Sequence, residues 1–285
     1  MPQISIIIPT HNRPDTLKKA ALSVLSQSYQ DWELIIVDDG LKIRAESVAK
    51  ELNDSRIKYV PHEQEQGGGA ARNTGIKAAQ SNFIAFLDDD DEWLPEKLSI
   101  QMAQFENTAP NIGFCFCAVK NITDHGQEKT SVPEGTANYF ELSLSTFKKF
   151  LTVTLIIKKH VFNEVGLFDE TLPSHQEAEL MIRITKKFKG LGINQPLVNV
   201  DMVAGHEHVG NNLIKRIRGR ELVLKKHEAE FKKRPTVFAG HLFTLGILYR
   251  QNKNYQQAQK NFKKAWRTNF KWRYFCHYLL MLIKH

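Results

Sequence analysis

A short apolar run that ends in four consecutive aspartates constrains the fold of this chain more than any other stretch. Residues 83–87 are all hydrophobic, and residues 88–91 are all aspartate. Such a run, bounded by polar residues, predicts a buried strand, and open α/β sheets bind ligands where their strands end. Because four adjacent carboxylates repel one another, the pattern favours a site for Mn²⁺ or Mg²⁺. The alternative is a solvated acidic turn in which Asp91 or Glu92 caps a helix that opens at Pro95.

Other apolar runs alternate with helical patterns along the first half of the chain. Two predicted strands that precede residue 83 are followed by residues of interest: residues 4–8 lead to Pro9 and Thr10, and residues 33–37, apolar from Leu34 on, lead to Asp38 and Asp39. Alternating strands and helices predict an α/β fold with a mostly parallel sheet flanked by helices. The aspartates at 39 and 88–91 are then expected to meet in one crevice.

The charge distribution predicts two regions with different roles. The net charge is +8 over 285 residues. Residues 215–285 carry 18 Lys and Arg against 3 Asp and Glu, a net of +15, whereas residues 1–214 carry a net of −7. We therefore predict a domain at 1–214 and a basic helical region at 215–285. The amino terminus lacks the pattern of a signal peptide and no stretch approaches about 20 apolar residues, so a cytoplasmic location is expected.

Gly67–Gly69 precede a helical pattern that contains Arg72. The spacing matches neither a Rossmann nor a P-loop phosphate motif. One interpretation is a flexible lead into a helix. The other, which the acidic crevice favours, is that Arg72 and the amides at the helix end bind a diphosphate.

Four motifs in order resemble glycosyltransferase family 2, over about residues 3–210. They are residues 6–13 (IIIPTHNR), 37–40 (VDDG), 69–75 (GAARNTG) and 86–95 (FLDDDDEWLP). The resemblance implies a GT-A fold and an inverting enzyme that uses a nucleotide-sugar donor, with Mn²⁺ or Mg²⁺ as cofactor.

The resemblance also implies roles for individual residues, and it places Asp90 as the direct metal ligand. Asp91 corresponds to a common fourth carboxylate, whose simpler role is helix capping. Asp39 is expected to accept a hydrogen bond from a uracil imide, and Arg72 to lie near the diphosphate or donor sugar. The residues expected to bind the nucleotide or donor are Pro9, Thr10, Asn12, Asp39, Arg72, Asp88 and Asp89.

The general base is expected at Glu177. Residues 165–170 resemble the acceptor-side segment of the family, but where the family usually has Glu-Asp this chain has Gln176-Glu177. Glu177 heads an apolar helical stripe that predicts an inward position, whereas Glu179 pairs with Arg183 at i+4, which predicts a solvated arrangement. The alternative is that Glu177 interacts only with the helix dipole and that activity has been lost or retuned.

Residues 205–212 resemble a segment where many relatives carry a late histidine near the metal or diphosphate. His208 is our candidate for an additional metal ligand, and His206 is held in reserve. A solvent-exposed histidine with no ligand role is the competing interpretation.

The basic tail has the spacing of one tetratricopeptide-like helix pair from Leu242 to Ala265, with Phe270 in place of the expected proline. One repeat cannot bury both of its faces, so it should pack on the catalytic domain or on a partner. The helical pattern that follows is cationic and aromatic, which suits the anionic inner face of a membrane. An ordinary solvated cap is the alternative, and nucleic acid is not expected as a partner.

The sequence therefore predicts an inverting, metal-assisted glycosyltransferase that moves a sugar from a UDP-sugar to a glycan or lipid-linked acceptor during surface polysaccharide or lipopolysaccharide synthesis. One alternative is a nucleotidyltransferase, although the segment after the first strand lacks the glycine-rich loop that this chemistry needs. The other is an inactive scaffold that binds sugar nucleotides. Intact Asp39, Arg72 and Asp90 argue against the scaffold, and Gln176-Glu177 keeps it open.

Overall fold

A computed structural model of the chain describes residues 2–202 and 212–282. The chain divides into two compact units. The first comprises Met1–Glu170 and Glu177–His206, and the second comprises Thr171–Gln176 and Glu207–His285.

A ten-stranded sheet organises the first unit within the described residues. Its strands are β1 (Ile4–Thr10), β2 (Trp32–Asp38), β3 (Ile57–Pro61), β4 (Phe83–Phe86), β5 (Glu92–Trp93), β6 (Ile112–Thr123), β7 (Gly126–Thr130), β8 (Gly135–Ala137), β9 (Ile156–Lys158) and β10 (Lys189–Asp201). The main path runs β3-β2-β1-β4-β9-β6-β10-β5, with β7 beside β6 and β8 beside β10.

The two halves of the sheet differ in strand direction. β3, β2, β1 and β4 are all parallel, with Thr10 opposite Asp38 and Ile7 opposite Phe86. β9 runs antiparallel to both β4 and β6, β10 is parallel to β6, and β5 is antiparallel to β10. The predicted α/β class is confirmed, and the parallel arrangement is complete in the half that carries the candidate site.

Helices cover both faces of the sheet because β1 and its neighbours are apolar on both sides. Ile4, Ile6 and Ile8 pack with α1 (Pro14–Leu25), α2 (Glu46–Leu52) and α4 (Lys97–Phe105). Ile7 packs on the other face, where the helices are α3 (Gly68–Ala78), α6 (Lys159–Val165) and α7 (Gln176–Lys187), and α5 (Phe140–Ser145) borders the same cluster. A Cβ at Gly75 of α3 would overlap the side chain of Ile7, so glycine allows α3 to lie close against β1.

The second unit is helical. Its elements are α8 (Leu213–Lys226), α9 (Glu228–Lys232), α10 (Pro235–Gln251), α11 (Tyr255–Thr268) and α12 (Trp272–Leu282). α10 and α11 form a helix pair in which the rings of Phe243 and Phe262 lie 5.3 Å apart between centroids. On α12, Tyr274 and Met281 are buried, whereas Trp272, Leu279, Leu280 and Leu282 are exposed. In the part of the chain that the structure describes, no helix combines the length and the apolar character needed to cross a membrane.

Candidate active site

The parallel half of the sheet brings the ends of β1, β2 and β4 to one edge. Pro9 and Thr10 close β1 opposite Val37 and Asp38 of β2. β4 lies on the other side of β1 and leads into Asp88. Since the strands run in the same direction, residues that follow them lie together at the carboxyl edge, where α/β sheets bind their ligands.

Three of the four clustered carboxylates are held by side chains from β1, its following turn and α3. The Thr10 hydroxyl donates to Asp89 Oδ2 at 2.8 Å. Arg13 Nη1 donates to Asp90 Oδ2 at 3.0 Å and to Asp89 Oδ1 at 3.4 Å. Arg72 Nη2 donates to Asp88 Oδ1 at 2.6 Å. The cluster is therefore tied to two arginines, only one of which was assigned a role from the sequence.

Burial and mutual repulsion raise the pKa values of two of these carboxyl groups. Burial raises the pKa of Asp89 to about 6; the Thr10 hydrogen bond opposes this rise and the charge of Asp90 adds to it. Burial, followed by the charges of Asp88 and Asp90, raises the pKa of Asp91 well above its usual range. A divalent cation would relieve this repulsion, and the hard oxygens of Asp88 and Asp90 suit Mg²⁺ or Mn²⁺, which keep water and phosphate in their remaining positions. Within residues 2–202 and 212–282, no group of three or more His, Cys, Asp or Glu side chains could hold a metal ion.

Asp91 does not cap a helix. Its Oδ1 accepts a hydrogen bond from the backbone N–H of Asp201 at 3.0 Å. The next two residues form β5 and pair with Val198 and Asn199 of β10, and α4 begins only at Lys97. The expected cap by Asp91 or Glu92 is therefore wrong, because residues 92–93 pair with a distant strand before the helix begins. The helix expected from Pro95 is present and begins two residues later, at Lys97.

Asp39 anchors the loop that leads into α3. Its Oδ1 lies 2.8 Å from His62 Nδ1 and accepts from the backbone N–H of Gln66 at 2.7 Å, and its Oδ2 accepts from the N–H of Gly67 at 2.8 Å. A concavity of about 510 Å³ opens beside this loop, lined by Pro61, His62, Glu63, Gln64 and Gln66. The carboxylate thus fixes one wall of this concavity.

Asn12 shapes the turn after β2. Its Oδ1 accepts from the backbone N–H groups of Lys42 and Ile43 at 3.0 and 2.9 Å. The residue adopts a positive φ of 57°, and a Cβ at Gly40 would lie 2.5 Å from its backbone nitrogen. The amide therefore supports two turns at the site, and its expected contact with the nucleotide stays a prediction.

Asn73 joins α3 to the segment before α7, a connection that the sequence analysis missed. Its Nδ2 donates to the Phe168 carbonyl at 2.9 Å and to Glu170 Oε1 at 2.7 Å, while its Oδ1 accepts from the Phe168 N–H at 2.9 Å. The side chain is 3% exposed. Arg72 and Asn73 are adjacent, so the helix that presents Arg72 to the cluster also fixes residues 168–170. The only sequence signal was their shared motif at 69–75.

Glu177 lies half-buried at the start of α7. Burial raises its pKa; its own backbone N–H and the Arg72 charge oppose that rise, and the Asp88 charge adds to it. The charges that act on Glu177 are therefore those of the Arg72–Asp88 pair. A carboxylate whose pKa moves toward neutrality suits proton abstraction.

Glu179 is not solvated as expected. It is fully buried, and its carboxylate accepts from Arg183 Nε and Nη2 at 2.7–3.0 Å. Arg183 also donates to the carbonyls of Val165, Gly166 and Leu167. The pair is a buried clamp on the segment before residue 168, and Glu179 has a structural role.

The structure also limits the histidine prediction. His208 and its reserve His206 lie outside the described residues.

Comparisons with known proteins identify the family of this chain. The sequence model of Glycosyl transferase family 2 matches residues 5–165, more than half of the chain. The chain is 40% identical over 113 residues to a UDP-Glc:alpha-D-GlcNAc-diphosphoundecaprenol beta-1,3-glucosyltransferase, WfgD, from Escherichia coli. That match covers 40% of this chain and 44% of WfgD, so the chain spans less than half of this relative's length.

Two further matches cover most of the chain. A GalNAc(5)-diNAcBac-PP-undecaprenol beta-1,3-glucosyltransferase from Campylobacter jejuni is 30% identical over 288 residues, which covers 95% of this chain and 88% of that protein. The crystal structure of S. aureus TarS 1–349 aligns with a TM-score of 0.66 at 18% identity, covering 93% of this chain and 80% of that one. TarS 1–349 has also been solved with UDP and with UDP-GlcNAc. At this identity the likeness concerns the fold, and it confirms the predicted GT-A architecture. The chain belongs to glycosyltransferase family 2.

Proposed function

We propose that the chain transfers a sugar, with inversion, from a UDP-sugar to a hydroxyl of a lipid-linked glycan in polysaccharide synthesis. The observation that carries the proposal is the Arg72–Asp88 ion pair, 2.6 Å long, at the sheet edge where the aspartate cluster lies. The charges of both residues also act on Glu177. The donor and acceptor classes are supported by the E. coli relative, whose name specifies UDP-Glc and a diphosphoundecaprenol acceptor. The C. jejuni relative also acts on an undecaprenol-linked glycan.

The donor is expected to lie along the carboxyl ends of β1, β2 and β4. Pro9, Thr10, Asn12 and Asp39 would contact the base and ribose. Arg72 would pair with the diphosphate, since a guanidinium and the N-terminal amides of α3 both favour an anion. Asp88 and Asp89 would accept from donor hydroxyls. In the structure Arg72 is already oriented toward the cluster by its bond to Asp88.

The divalent cation would be held by Asp90, with His208 as the additional ligand, and Asp88 beside it. A bound Mn²⁺ or Mg²⁺ would neutralise charge that develops on the leaving diphosphate. The side chains of the protein perform the remaining work. Arg72 counters the same charge, and Thr10 holds Asp89 in position.

Glu177 is proposed to take the proton from the acceptor hydroxyl. An alcohol is a weak nucleophile until a base removes its proton, and attack from the face opposite the diphosphate inverts the anomeric carbon. The hydroxyl oxygen forms the new bond to the anomeric carbon, the bond to the diphosphate oxygen breaks, and the proton moves to Glu177. Asn73 and the Glu179–Arg183 pair fix the segment before α7 from two sides.

The test is transfer from a panel of UDP-sugars to an undecaprenyl-diphosphate-linked acceptor, with Mn²⁺ present. Glu177→Gln should lower kcat by about 10²- to 10⁴-fold, the range for loss of a general base, with little change in UDP affinity. Asp90→Asn should weaken UDP binding in the presence of Mn²⁺. Glu128→Gln, at an exposed carboxylate on β7, is the matched control. If Glu177→Gln turns over like wild type, the proposed mechanism fails.

We also propose that catalysis belongs to residues 1–214 and that 215–285 hold the protein on the cytoplasmic face of an anionic membrane, with α10 and α11 as a tetratricopeptide-like pair that carries α12. Trp272 is 67% exposed, Leu279 39% and Leu280 50%, while Tyr274 and Met281 of the same helix face inward. Lys271 and Arg273 flank Trp272. An outward apolar face with flanking cations suits anionic lipid.

Vesicle co-sedimentation of the full chain tests this surface. Vesicles with about 30% anionic lipid should retain wild type more strongly than neutral vesicles. Serine at Trp272, Leu279 and Leu280 should abolish retention. The control places serine at Leu22, Leu41 and Ile43, which are exposed to a similar degree (44–52%) in the first unit. Equal retention of both variants would exclude α12 as the docking surface.

A further inference from the structure

Arg13 occupies an unexpected position in the candidate site. It is the residue immediately before α1, and its backbone carbonyl accepts hydrogen bonds from the N–H of Leu17 and the hydroxyl of Thr16. These bonds fix the backbone from which the side chain extends. Its guanidinium then contacts Asp90 at 3.0 Å and Asp89 at 3.4 Å. The carboxylate proposed as the metal ligand is therefore already paired with a cation of the chain itself.

The charges of the cluster explain why such a cation is needed. Asp88 has Arg72 as its partner at 2.6 Å, and the buried carboxyls of Asp89 and Asp91 have raised pKa values. Asp90 lies between these two, and its side chain is 14% exposed. Before a donor and metal arrive, Arg13 is a counter-charge that holds Asp90 and Asp89 together at the turn.

We propose that Arg13 and the divalent cation compete for Asp90, so that the metal alone binds weakly and binds tightly only together with the nucleotide diphosphate. The inference rests on the proposed role of Asp90. Two cations cannot share one carboxylate at contact distance without repulsion, and at this separation salt screens them little. The diphosphate supplies extra negative charge, which raises the affinity of the site for the metal relative to Arg13. Arg13 is thus a positioning residue that sets the order of binding.

If the two cations compete, removing the Arg13 guanidinium should raise the affinity of the protein for Mn²⁺. The metal must displace a partly exposed ion pair, and the repulsion between the guanidinium and an incoming dication adds to this. Arg13→Gln should therefore bind Mn²⁺ about tenfold more tightly than wild type in the absence of nucleotide. The increase in Mn²⁺ affinity that UDP produces should be smaller in this variant than in wild type by a similar factor. Arg13→Lys, which keeps the charge but loses the planar fork, should fall between the two.

The experiment measures Mn²⁺ binding to the full chain without nucleotide, from the free-Mn²⁺ signal in electron paramagnetic resonance, and repeats it with UDP. Lys18→Gln is the matched control, because it removes one positive charge from α1 at an exposed pair with Glu51. Its Mn²⁺ affinity should equal that of wild type. Thermal unfolding confirms that each variant is folded.

The outcomes separate this inference from the proposed function. If Asp90→Asn binds Mn²⁺ as wild type does, Asp90 is not the ligand and the proposed function loses its metal site. If Asp90→Asn loses Mn²⁺ while Arg13→Gln binds it no more tightly than Lys18→Gln, Asp90 keeps its role and the competition is refuted. The inference is supported if Arg13→Gln binds Mn²⁺ more tightly than wild type and Lys18→Gln does not.

Discussion

Replacing Asp89 with asparagine is expected to make the protein more stable at neutral pH. The Asp89 side chain is 10% exposed, and burial raises its pKa from 3.8 to about 6. The unfolded chain ionises this carboxyl at a lower pH than the folded one does. The stability it contributes is therefore complete below about pH 4 and is lost as the pH rises through about 6.

The size of the effect follows from the shift. About two pKa units correspond to about 3 kcal/mol of unfolding free energy at a pH above both pKa values. The amide can keep its contact with Thr10, because a hydroxyl accepts as readily as it donates. The attraction of Arg13 is already contained in the net pKa shift. We expect Asp89→Asn to be more stable than wild type by about 3 kcal/mol.

Urea unfolding at several pH values, with a chelator present, measures the difference. The gain should be small below about pH 4 and should reach about 3 kcal/mol at about pH 8. Asp31→Asn, at an exposed carboxylate, should follow wild type throughout. An Asp89→Asn protein that is no more stable at about pH 8, or that gains equally at every pH, would refute the reasoning.

Three further predictions concern residues that support the site. Asn73→Ala should lower the unfolding free energy by about 3 kcal/mol, because three buried hydrogen bonds are lost, one of them to a carboxylate; unchanged urea stability would contradict this. Gly75→Ala should cost about 1–3 kcal/mol through overlap with Ile7, whereas Gly240→Ala in α10, where a Cβ meets nothing within 4 Å, should be neutral or stabilising. Lys97→Met should stabilise the protein by about 2 kcal/mol, because burial lowers the pKa of this fully buried lysine to about 8 and so makes its charge costly. The loss of its stacking on Trp93 at 3.9 Å offsets part of that gain. That gain should be complete below about pH 8 and should vanish as the pH rises to about 10.5, and a gain independent of pH would show that the charge is not its source.

Local patterns predicted the parallel half of the fold well. The strands predicted at 4–8 and 33–37 lie in β1 and β2, and the apolar run at 83–87 forms β4 and the residue after it. The position of Asp39 and Asp88 after parallel strands that flank β1 follows from strand direction alone. These features depend on the burial of short segments and on βα alternation, and both are visible in a single sequence.

Residues whose partners are distant in the chain were harder to predict. Glu179 lies off the apolar stripe of α7, which predicted exposure, but Arg183 neutralises it and also binds three carbonyls of residues 165–167. β5 forms only because β10 lies beside it. Asn73 and Arg13 stand inside recognised motifs, yet their bonds span 76 or more positions of sequence. Periodicity carries no information about such contacts.

The three hydrogen bonds of Asn73 have a consequence for how such enzymes diversify. One side chain of the helix that carries Arg72 also fixes the backbone of Phe168 and the carboxylate of Glu170. The conformation of the segment before α7 therefore depends on α3. A chimera that grafts this segment from a relative would keep its geometry only if the graft still offers a backbone carbonyl, an N–H and an acceptor to that amide. Directed evolution of a new acceptor preference should accordingly retain residues 168–170 and vary positions beyond them.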